Sequence, residues 1–228
     1  IFKISVICMF DKDIKVYCLE YAKSQISESM IFDGGDQEKQ LPISFSVYLV
    51  LTENKKIMID AGCYTMPGFD MEKYYSPSFV LRQVGFSADE ITDVIITHAH
   101  HDHIEAVKYF KNAVVHISQQ EYEDGKKYFP ENIEVNLFEK EYKLTPEIKI
   151  MEWCGHSKGS SIVEIETDDN IHIFAGDECY TNENIIKKHC TGMSVDKDKS
   201  TKFVEKYCNP KYIVHTCHDI SLKTERII

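Results

Sequence analysis

The sequence has neither a basic stretch nor a long apolar run. Its formal net charge is −11 at pH 7, which disfavours nucleic acids and anionic membrane surfaces as partners because both attract basic protein surfaces. No apolar run approaches the roughly 20 residues that span a bilayer, so neither a transmembrane helix nor a membrane partner is expected. The sequence also opens without a charged-then-apolar segment, so no signal peptide is expected.

The eight cysteines show neither a CxxC pair nor the spacing of a disulfide scaffold. They are typical of reduced thiols, which predicts a cytoplasmic protein. Four of them lie within three residues of candidate site residues, where metal binding and plain core packing are alternatives, and we favour packing: Cys63, Cys154, Cys179 and Cys217.

Strands and helices alternate along the chain, without a repeat or a low-complexity segment. The 228 residues, 43% of them hydrophobic, suffice for one sizeable core, and we take residues 1–228 as a single domain. Alternation and short apolar runs predict a hairpin over 2–18 and strands over 43–51, 57–59, 93–96, 114–117, 148–153, 161–166, 171–174 and 211–215. Helices are predicted over 104–110, 118–128, 182–189 and 200–208. Three segments are predicted as loops: residues 20–40, the aromatic-rich residues 64–79 and the irregular residues 131–146. The segment 64–79 is also expected to include a short helix. For its side chains the alternatives are that they line an apolar pocket or that they cover the core.

The stretch Thr97–His103 contains four of the ten histidines and one aspartate. It follows a predicted buried strand and precedes a predicted helix. His98 and His100 are two residues apart and point to one side of an extended backbone, whereas Asp102 and His103 are adjacent and diverge. Imidazole and carboxylate are the usual ligands of zinc and similar ions. We therefore predict two adjacent metal ions rather than a solvated polar loop.

Three more ligand-type residues follow predicted strand ends: His156, Asp177 and His218. Together with His98, His100, Asp102 and His103 they make five histidines and two aspartates, about the number of ligands that a two-metal hydrolytic site requires. The remaining isolated histidines are predicted to be structural or exposed: His116, His172, His189 and His215.

The order and spacing of these motifs resemble the metallo-β-lactamase superfamily from about residue 43 to residue 219. Within it the resemblance is to N-acyl homoserine lactone lactonases, because Tyr180 follows Asp177 by three residues and the ending Ile213-Val214-x4-Asp219-Ile220 is similar to theirs. The motifs are His98-x-His100-x-Asp102-His103, the Gly155-His156-Ser157-x-Gly159-Ser160 loop, Gly176-Asp177, His218-Asp219 and the upstream turn Asp60-Ala61-Gly62.

The resemblance implies an α+β fold: an αββα sandwich of two mixed β-sheets flanked by helices. It also implies two divalent metal ions, with zinc favoured and iron or manganese as alternatives. One ion would be held by His98, His100 and His156, and the other by Asp102, His103 and His218. Asp177 would bridge them, and Asp60 would orient a histidine ligand by hydrogen bonding.

The implied activity is that of a zinc-dependent, lactonase-like hydrolase. A hydroxide shared by the two metals would attack the carbonyl of a small ester or lactone, of which an acyl homoserine lactone is one example. Tyr180 would stabilise the oxyanion, although a plain pocket-lining role is an equal alternative. Asp102 would pass a proton to the leaving alcohol.

Three departures from the lactonase pattern bear on the substrate and leave the ligands intact. His101 stands where such lactonases often have an apolar residue near the substrate, Glu105-Ala106 replaces a Gly-Gly, and Lys158 replaces a proline. For His101 the alternatives are a substrate contact, a proton shuttle and a side chain at the start of a helix, and we favour the last.

A second hypothesis is an iron-binding redox or sensing protein of the same fold without hydrolytic activity, which the cysteines keep open. A binding protein with a vestigial site is disfavoured because every ligand position is filled. The expected partner is a small-molecule substrate, and a homodimer is compatible with the sequence.

Overall fold

The computed structural model describes residues 14–228, which form two mixed β-sheets. The strands are β1 (Lys15–Ser27), β2 (Gln40–Leu51), β3 (Lys56–Ile59), β4 (Asp93–Ile95), β5 (Val114–Ser118), β6 (Glu134–Phe138), β7 (Glu141–Lys143), β8 (Ile148–Glu152), β9 (Ser161–Glu166), β10 (Ile171–Phe174), β11 (Tyr212–His215) and β12 (Glu225–Arg226). The first sheet has the order β12-β1-β2-β3-β4-β5-β6, and the second has the order β11-β10-β9-β8-β7. Neighbours are parallel from β3 to β6 and between β10 and β11, and antiparallel elsewhere.

Six α-helices occur in the described part of the chain, and none of the helices there is long and apolar enough to cross a membrane. They are α1 (Glu28–Ile31), α2 (Pro77–Gln83), α3 (His101–Ile104), α4 (Gln119–Gly125), α5 (Asn182–Lys187) and α6 (Lys197–Tyr207). Short polar side chains cap three of them. Ser76, Ser118 and Asp196 each accept a hydrogen bond from a backbone N–H in the first turn of α2, α4 and α6 respectively, which satisfies donors that the helix itself leaves free.

Alternate residues of each strand pack on opposite faces of its sheet. Ile57 and Ile59 of β3 share a buried cluster with Val163 of β9, so this cluster lies between the sheets. Met58, between them in sequence, belongs to a second cluster with Leu81 of α2 on the outer face of the first sheet. On the outer face of the second sheet, strand residues pack against α6: Ile162, Ile173, Phe203, Val204 and Tyr207. The predicted αββα sandwich is therefore confirmed.

The prediction of a loop over residues 20–40 is wrong for its first part. The strand β1 continues to Ser27, paired with β2 throughout, and α1 follows it. A register shift between Glu20 and Ala22 interrupts the alternation of buried and exposed residues, as a β-bulge does. This interruption conceals the second half of the strand from a period-two pattern.

Three other expectations differ in detail. Residues 131–146, predicted as irregular, contain β6 and β7, two edge strands whose partly exposed residues lack a clear apolar pattern. In place of the single helix predicted over 104–110, the structure has two short elements: α3 begins at His101 and ends at Ile104, and a 3-10 helix follows over Glu105–Tyr109. The first strand of the predicted hairpin over 2–18 lies outside the described residues.

Candidate metal centre

The ligand-type residues lie after the ends of strands from both sheets. The stretch Thr97–His103 follows β4 of the first sheet. From the second sheet, His156 follows β8, Asp177 lies in a 3-10 helix after β10, and His218 follows β11. Every residue that the sequence predicts as a metal ligand is therefore brought to one edge of the sandwich.

A first group consists of His98, His100, His156 and Asp177, whose ligand atoms all lie within 4.8 Å of one another. Nε2 of His156 is 2.9 Å from Nδ1 of His100. Oδ2 of Asp177 is 3.6 Å from Nε2 of His98 and 3.4 Å from Nε2 of His156. Three imidazoles and one carboxylate oxygen thus converge on a single point.

A second group lies on the other side of the same carboxylate. Oδ1 of Asp177 is 3.1 Å from Nε2 of His103 and 3.1 Å from Nε2 of His218. Oδ2 of Asp102 lies 3.5 Å and 3.6 Å from these two nitrogens. Asp177 therefore directs one oxygen to each group.

Hydrogen bonds from the far side of two rings set their orientation. His103 Nδ1 donates to Oδ2 of Asp60 at 2.7 Å, and His218 Nδ1 donates to the carbonyl of Ser44 at 2.9 Å. With the proton on Nδ1, the lone pair of the neutral ring lies on Nε2 and points into the second group. Asp60 thus has the contact that the sequence predicts for it, and it also accepts a bond from Thr97 N at 2.8 Å.

Gly176 permits the close approach of the Asp177 turn to the stretch Thr97–His103. Its φ is +52°, and a Cβ at this position would lie 2.9 Å from Oγ1 of Thr97. An L-residue with a side chain would be strained here both by its backbone conformation and by this contact. The glycine before Asp177 therefore has a steric role in assembling the site.

Burial and mutual charges move the pKa values of the cluster in opposite directions. Burial lowers the pKa of His98 well below its usual value and that of His156 to about 4, and nearby imidazoles act in the same direction. Burial also opposes protonation of His103, but the surrounding carboxylates outweigh it and raise its pKa. Burial also opposes ionisation of Asp177, but His103, His218, His98 and His156 together outweigh it and lower the pKa of that carboxyl. Asp177 is therefore a carboxylate at neutral pH.

The donor set fits metal ions. Nε2 of His98 and Nε2 of His103 are buried and make no hydrogen bond to the described residues, although buried polar atoms nearly always have a partner. Both atoms face Asp177. Imidazole nitrogens and carboxylate oxygens grouped in this way are typical ligands of borderline divalent cations, and two groups that share one carboxylate suit two cations.

Two buried glutamates, neither of them predicted from the sequence, support loops that carry ligand-type residues. Glu121 of α4 accepts hydrogen bonds from Ala99 N in the stretch Thr97–His103 and from Gly159 N in the loop that contains His156. Oε1 of Glu178 accepts hydrogen bonds from Gly155 N and His156 N, each at 3.0 Å, and burial raises the pKa of this carboxyl to about 7. Their partners lie 18 or more residues away in sequence, so no local pattern indicates them.

Cys217 also belongs to the cluster. Its thiol donates to Oδ1 of Asp177 at 3.2 Å, and its sulfur lies within 4.8 Å of the donor atoms of His103 and His218. Burial, followed by the charge of Asp177, raises the pKa of this thiol. Every cysteine among residues 14–228 is a free thiol.

Tyr180 lies beside both groups, with its ring centroid 5.0 Å from that of His218 and 6.0 Å from that of His156. It also lines a cavity of about 380 Å³ that opens onto the cluster. The remaining wall is largely apolar and comes mainly from β1, α1, β2 and the 64–79 segment: Ile26, Met30, Ile43, Phe45, Met66, Pro67, Phe69 and Met193. Both alternatives for the 64–79 segment therefore apply, since its side chains line this cavity and also pack against the core.

The isolated histidines lie outside the cluster, and His101 borders it. His116 is buried and bonds to Asp93 at 2.9 Å, and His172 bonds to His215 at 2.9 Å. His189 stacks on Phe32. His101 begins α3, as favoured from the sequence, but it also lines the cavity.

Residues 44–212 match the family model of the metallo-β-lactamase superfamily. The chain therefore belongs to this superfamily, and its site is of the dinuclear type, with histidines and aspartates able to bind metal ions.

Among characterised proteins, the chain is similar to N-acyl homoserine lactonases, including those of Bacillus thuringiensis and Agrobacterium fabrum. That of Bacillus thuringiensis is 24% identical over 197 residues, covering 75% of this chain and 78% of the relative. That of Agrobacterium fabrum is 22% identical over 218 residues, covering 75% and 79%. These relatives agree with the resemblance inferred from the motifs and support the predicted hydrolase class.

Two solved structures show the same fold. An N-acyl homoserine lactone hydrolase with the product N-hexanoyl-L-homoserine at its catalytic metal centre superposes with a TM-score of 0.81 at 21% identity, over 96% of this chain and 100% of that chain. A dizinc quorum-quenching lactonase superposes with a TM-score of 0.76 at 18% identity, over 93% and 90%.

Proposed function

We propose that the protein is a dinuclear-metal hydrolase of small apolar esters or lactones, with acyl homoserine lactones as the first candidates. The position of Asp177 carries this proposal. Its two carboxylate oxygens face two separate groups of imidazoles at 3.1 Å to 3.6 Å. A carboxylate shared in this way suits a pair of cations, and paired cations are typical of hydrolytic centres.

The assignment of roles follows the two groups. His98, His100 and His156 would hold one ion, Asp102, His103 and His218 would hold the other, and Asp177 would be shared between them. Asp60 fixes the ring of His103. Since both sheets contribute ligands, we treat residues 1–228 as one hydrolase domain.

When bound, the two cations supply Lewis acidity and a hydroxide nucleophile at neutral pH. Tyr180 and Asp102 complete the chemistry. Burial and the Asp177 carboxylate raise the pKa of Tyr180, so its hydroxyl keeps its proton and can donate a hydrogen bond to the oxyanion. His103 and His218 lower the pKa of Asp102 against the effect of burial, so Asp102 is a carboxylate that can accept a proton and pass it to the leaving alcohol.

The cavity favours an apolar acyl group. Aside from the cluster and His101, its lining consists of aliphatic, methionine and aromatic side chains. The characterised relatives are lactonases of N-acyl homoserine lactones, which combine a lactone with an apolar chain. A net charge of −11 and the free thiols of the described residues agree with a small-molecule substrate and a cytoplasmic location.

The test combines metal content with hydrolysis by the purified protein. Acyl lactones, aryl esters, thioesters and β-lactams form the substrate panel. We expect about two zinc ions per chain and turnover of lactones or esters, which Asp177→Asn abolishes. Asp168→Asn, an exposed residue in the turn between β9 and β10, is the matched control and should retain both properties.

Other outcomes would contradict the proposal. Two iron ions per chain with oxygen consumption and no hydrolysis would favour the redox or sensing protein. If the protein binds two metal ions and hydrolyses only β-lactams, the proposed metal site stands and the proposed substrate class is wrong.

A further inference from the structure

A short turn over residues 65–69 forms part of the cavity wall. Met66, Pro67 and Phe69 of this turn line the cavity beside the His/Asp cluster. Within the turn, Phe69 N donates to the carbonyl of Met66 at 3.2 Å. Gly68 has φ +88°, and a Cβ there would meet nothing within 4 Å, so no neighbouring atoms restrain the turn at this point.

The chain on either side of the turn is firmly held. Before it, Tyr64 N donates to Oε2 of Glu105 at 2.8 Å. After it, the hydroxyl of Ser24 donates to the carbonyl of Asp70 at 2.9 Å, and two further backbone hydrogen bonds to β1 follow at residue 72. Between these anchors, one hydrogen bond joins the turn to another part of the described chain: His101 Nε2 to the carbonyl of Thr65, at 2.8 Å.

The ring of His101 is itself oriented from the other side. Its Nδ1 lies 3.0 Å from the hydroxyl of Tyr128. A carbonyl oxygen only accepts hydrogen bonds, so Nε2 of His101 donates to Thr65, and in the neutral ring Nδ1 accepts from Tyr128. The imidazole therefore connects the 3-10 helix Lys126–Tyr128 to the turn over residues 65–69.

We propose that His101 is a specificity-determining positioning residue, which latches residues 65–69 over the cavity and thereby limits the size of the acyl group that reaches the metal centre. The latch rests on the contacts alone, whereas its effect on acyl groups rests on the proposed function. His101 lies between the candidate ligands His100 and Asp102 in sequence, so the latch fixes the position of the turn relative to the metal centre. Without it, the turn is held by the packing of Met66 and Phe69 against the core and by no hydrogen bond to another part of the described chain, so it moves outward more readily and the cavity widens.

The latch is tested by hydrogen–deuterium exchange of the metal-loaded protein. His101→Phe keeps an aromatic ring and removes the donor, and Tyr128→Phe removes only the hydroxyl that orients the ring. We expect amide exchange in residues 65–69 to become about fivefold faster in His101→Phe, the effect of one lost hydrogen bond, with a smaller increase in Tyr128→Phe. Tyr122→Phe is the matched control, since the Tyr122 hydroxyl makes no hydrogen bond to the described residues.

The effect on specificity is tested with esters or lactones of increasing acyl length. We expect the ratio of kcat/KM for long chains to that for short chains to rise about fivefold in His101→Phe, mainly through KM, and to rise less in Tyr128→Phe. If His101→Phe loses metal, Tyr128→Phe decides. Unchanged exchange in both variants would refute the latch, and faster exchange with an unchanged ratio would refute its role in specificity. If no substrate is hydrolysed, the proposed function fails while the exchange data still decide on the latch.

Discussion

The carboxylate of Glu121 accepts a hydrogen bond from the backbone N–H of Ala99 at 2.7 Å. Its other oxygen accepts bonds from the hydroxyl of Ser157 at 2.7 Å and from Gly159 N at 2.8 Å. Ala99 lies in the stretch Thr97–His103, and Ser157 and Gly159 lie in the loop of His156. One buried carboxylate thus connects the two loops that supply the first group of imidazoles.

Replacing Glu121 by Gln should loosen this connection. The amide nitrogen cannot accept a hydrogen bond, so the contacts of one oxygen are lost. We expect metal affinity to fall about 10–100-fold and the free energy of unfolding of the metal-free protein to fall by about 1.5–3 kcal/mol. Competition with a chromophoric chelator and denaturant unfolding measure the two effects. Glu123→Gln, an exposed position on the same helix, should change neither, and an unchanged affinity for Glu121→Gln would refute the supporting role.

Asp60→Asn tests the orientation of His103. The asparagine keeps the size of the side chain, and its oxygen can still accept from Thr97, but its amide nitrogen cannot accept from Nδ1 of His103. We therefore expect affinity at the second metal position to fall about 10–100-fold, with the first position less affected. Titration of the metal-free protein with zinc measures both sites. Two sites of unaltered affinity would show that Asp60 does not orient the ligand.

The pair formed by His172 and His215 predicts a loss of stability in acid. Burial, followed by the proximity of His172, lowers the pKa of His215 to about 3, and burial lowers that of His172. An unfolded histidine has a pKa of about 6.5, so the unfolded state binds more protons between that value and about pH 3. The stability from this pair is fully present above about pH 6.5 and is lost as the pH falls towards 3.

Urea unfolding between about pH 7 and pH 5 measures this loss. In His215→Phe the decrease in unfolding free energy over that range should be smaller than in the natural chain. The decrease should not vanish, because histidines of the cluster titrate as well. An identical pH dependence in the variant would contradict the assignment.

Removal of metal should destabilise the protein. The buried Nε2 atoms of His98 and His103 have no hydrogen-bond partner among the described residues, so they are available to metal ions in the folded protein. A metal ion that binds only the folded state shifts the unfolding equilibrium towards that state. Free zinc at one hundred times its Kd should add about 2.7 kcal/mol to the free energy of unfolding. Thermal unfolding with a chelator and with added zinc measures the shift. Asp177→Asn should respond less to zinc, and an identical Tm with and without chelator would count against metal binding.

The ligands are predictable from the sequence because each of them stands near an apolar strand. Ile95 ends β4 and His98 follows three residues later, while Phe174 ends β10 and Asp177 follows three residues later. Strand ends in a layered fold meet at an edge, so the pattern indicates the site before any contact is known. The long β1 is less visible, because the register shift after Glu20 breaks its period.

The supporting residues are not predictable in this way. Ser118 and Glu121 fit a helix-capping pattern, and Oγ of Ser118 does accept from Glu121 N at 3.3 Å. The capping pattern explains why a glutamate stands at position 121, but it does not indicate which groups the carboxylate of Glu121 contacts. Glu178 stands next to a predicted ligand, but its partners at 155, 156 and 160 become neighbours only after the second sheet has formed.

Because the two groups draw on both sheets, they are completed at different points of the chain. A growing polypeptide has all donors of the first group once Asp177 has left the ribosome, whereas the second group waits for His218, about 40 residues later. Synthesis at about 5–20 residues per second separates the two events by seconds. An ion bound by the first group would thus join the first sheet to the emerging second sheet before the second group is complete.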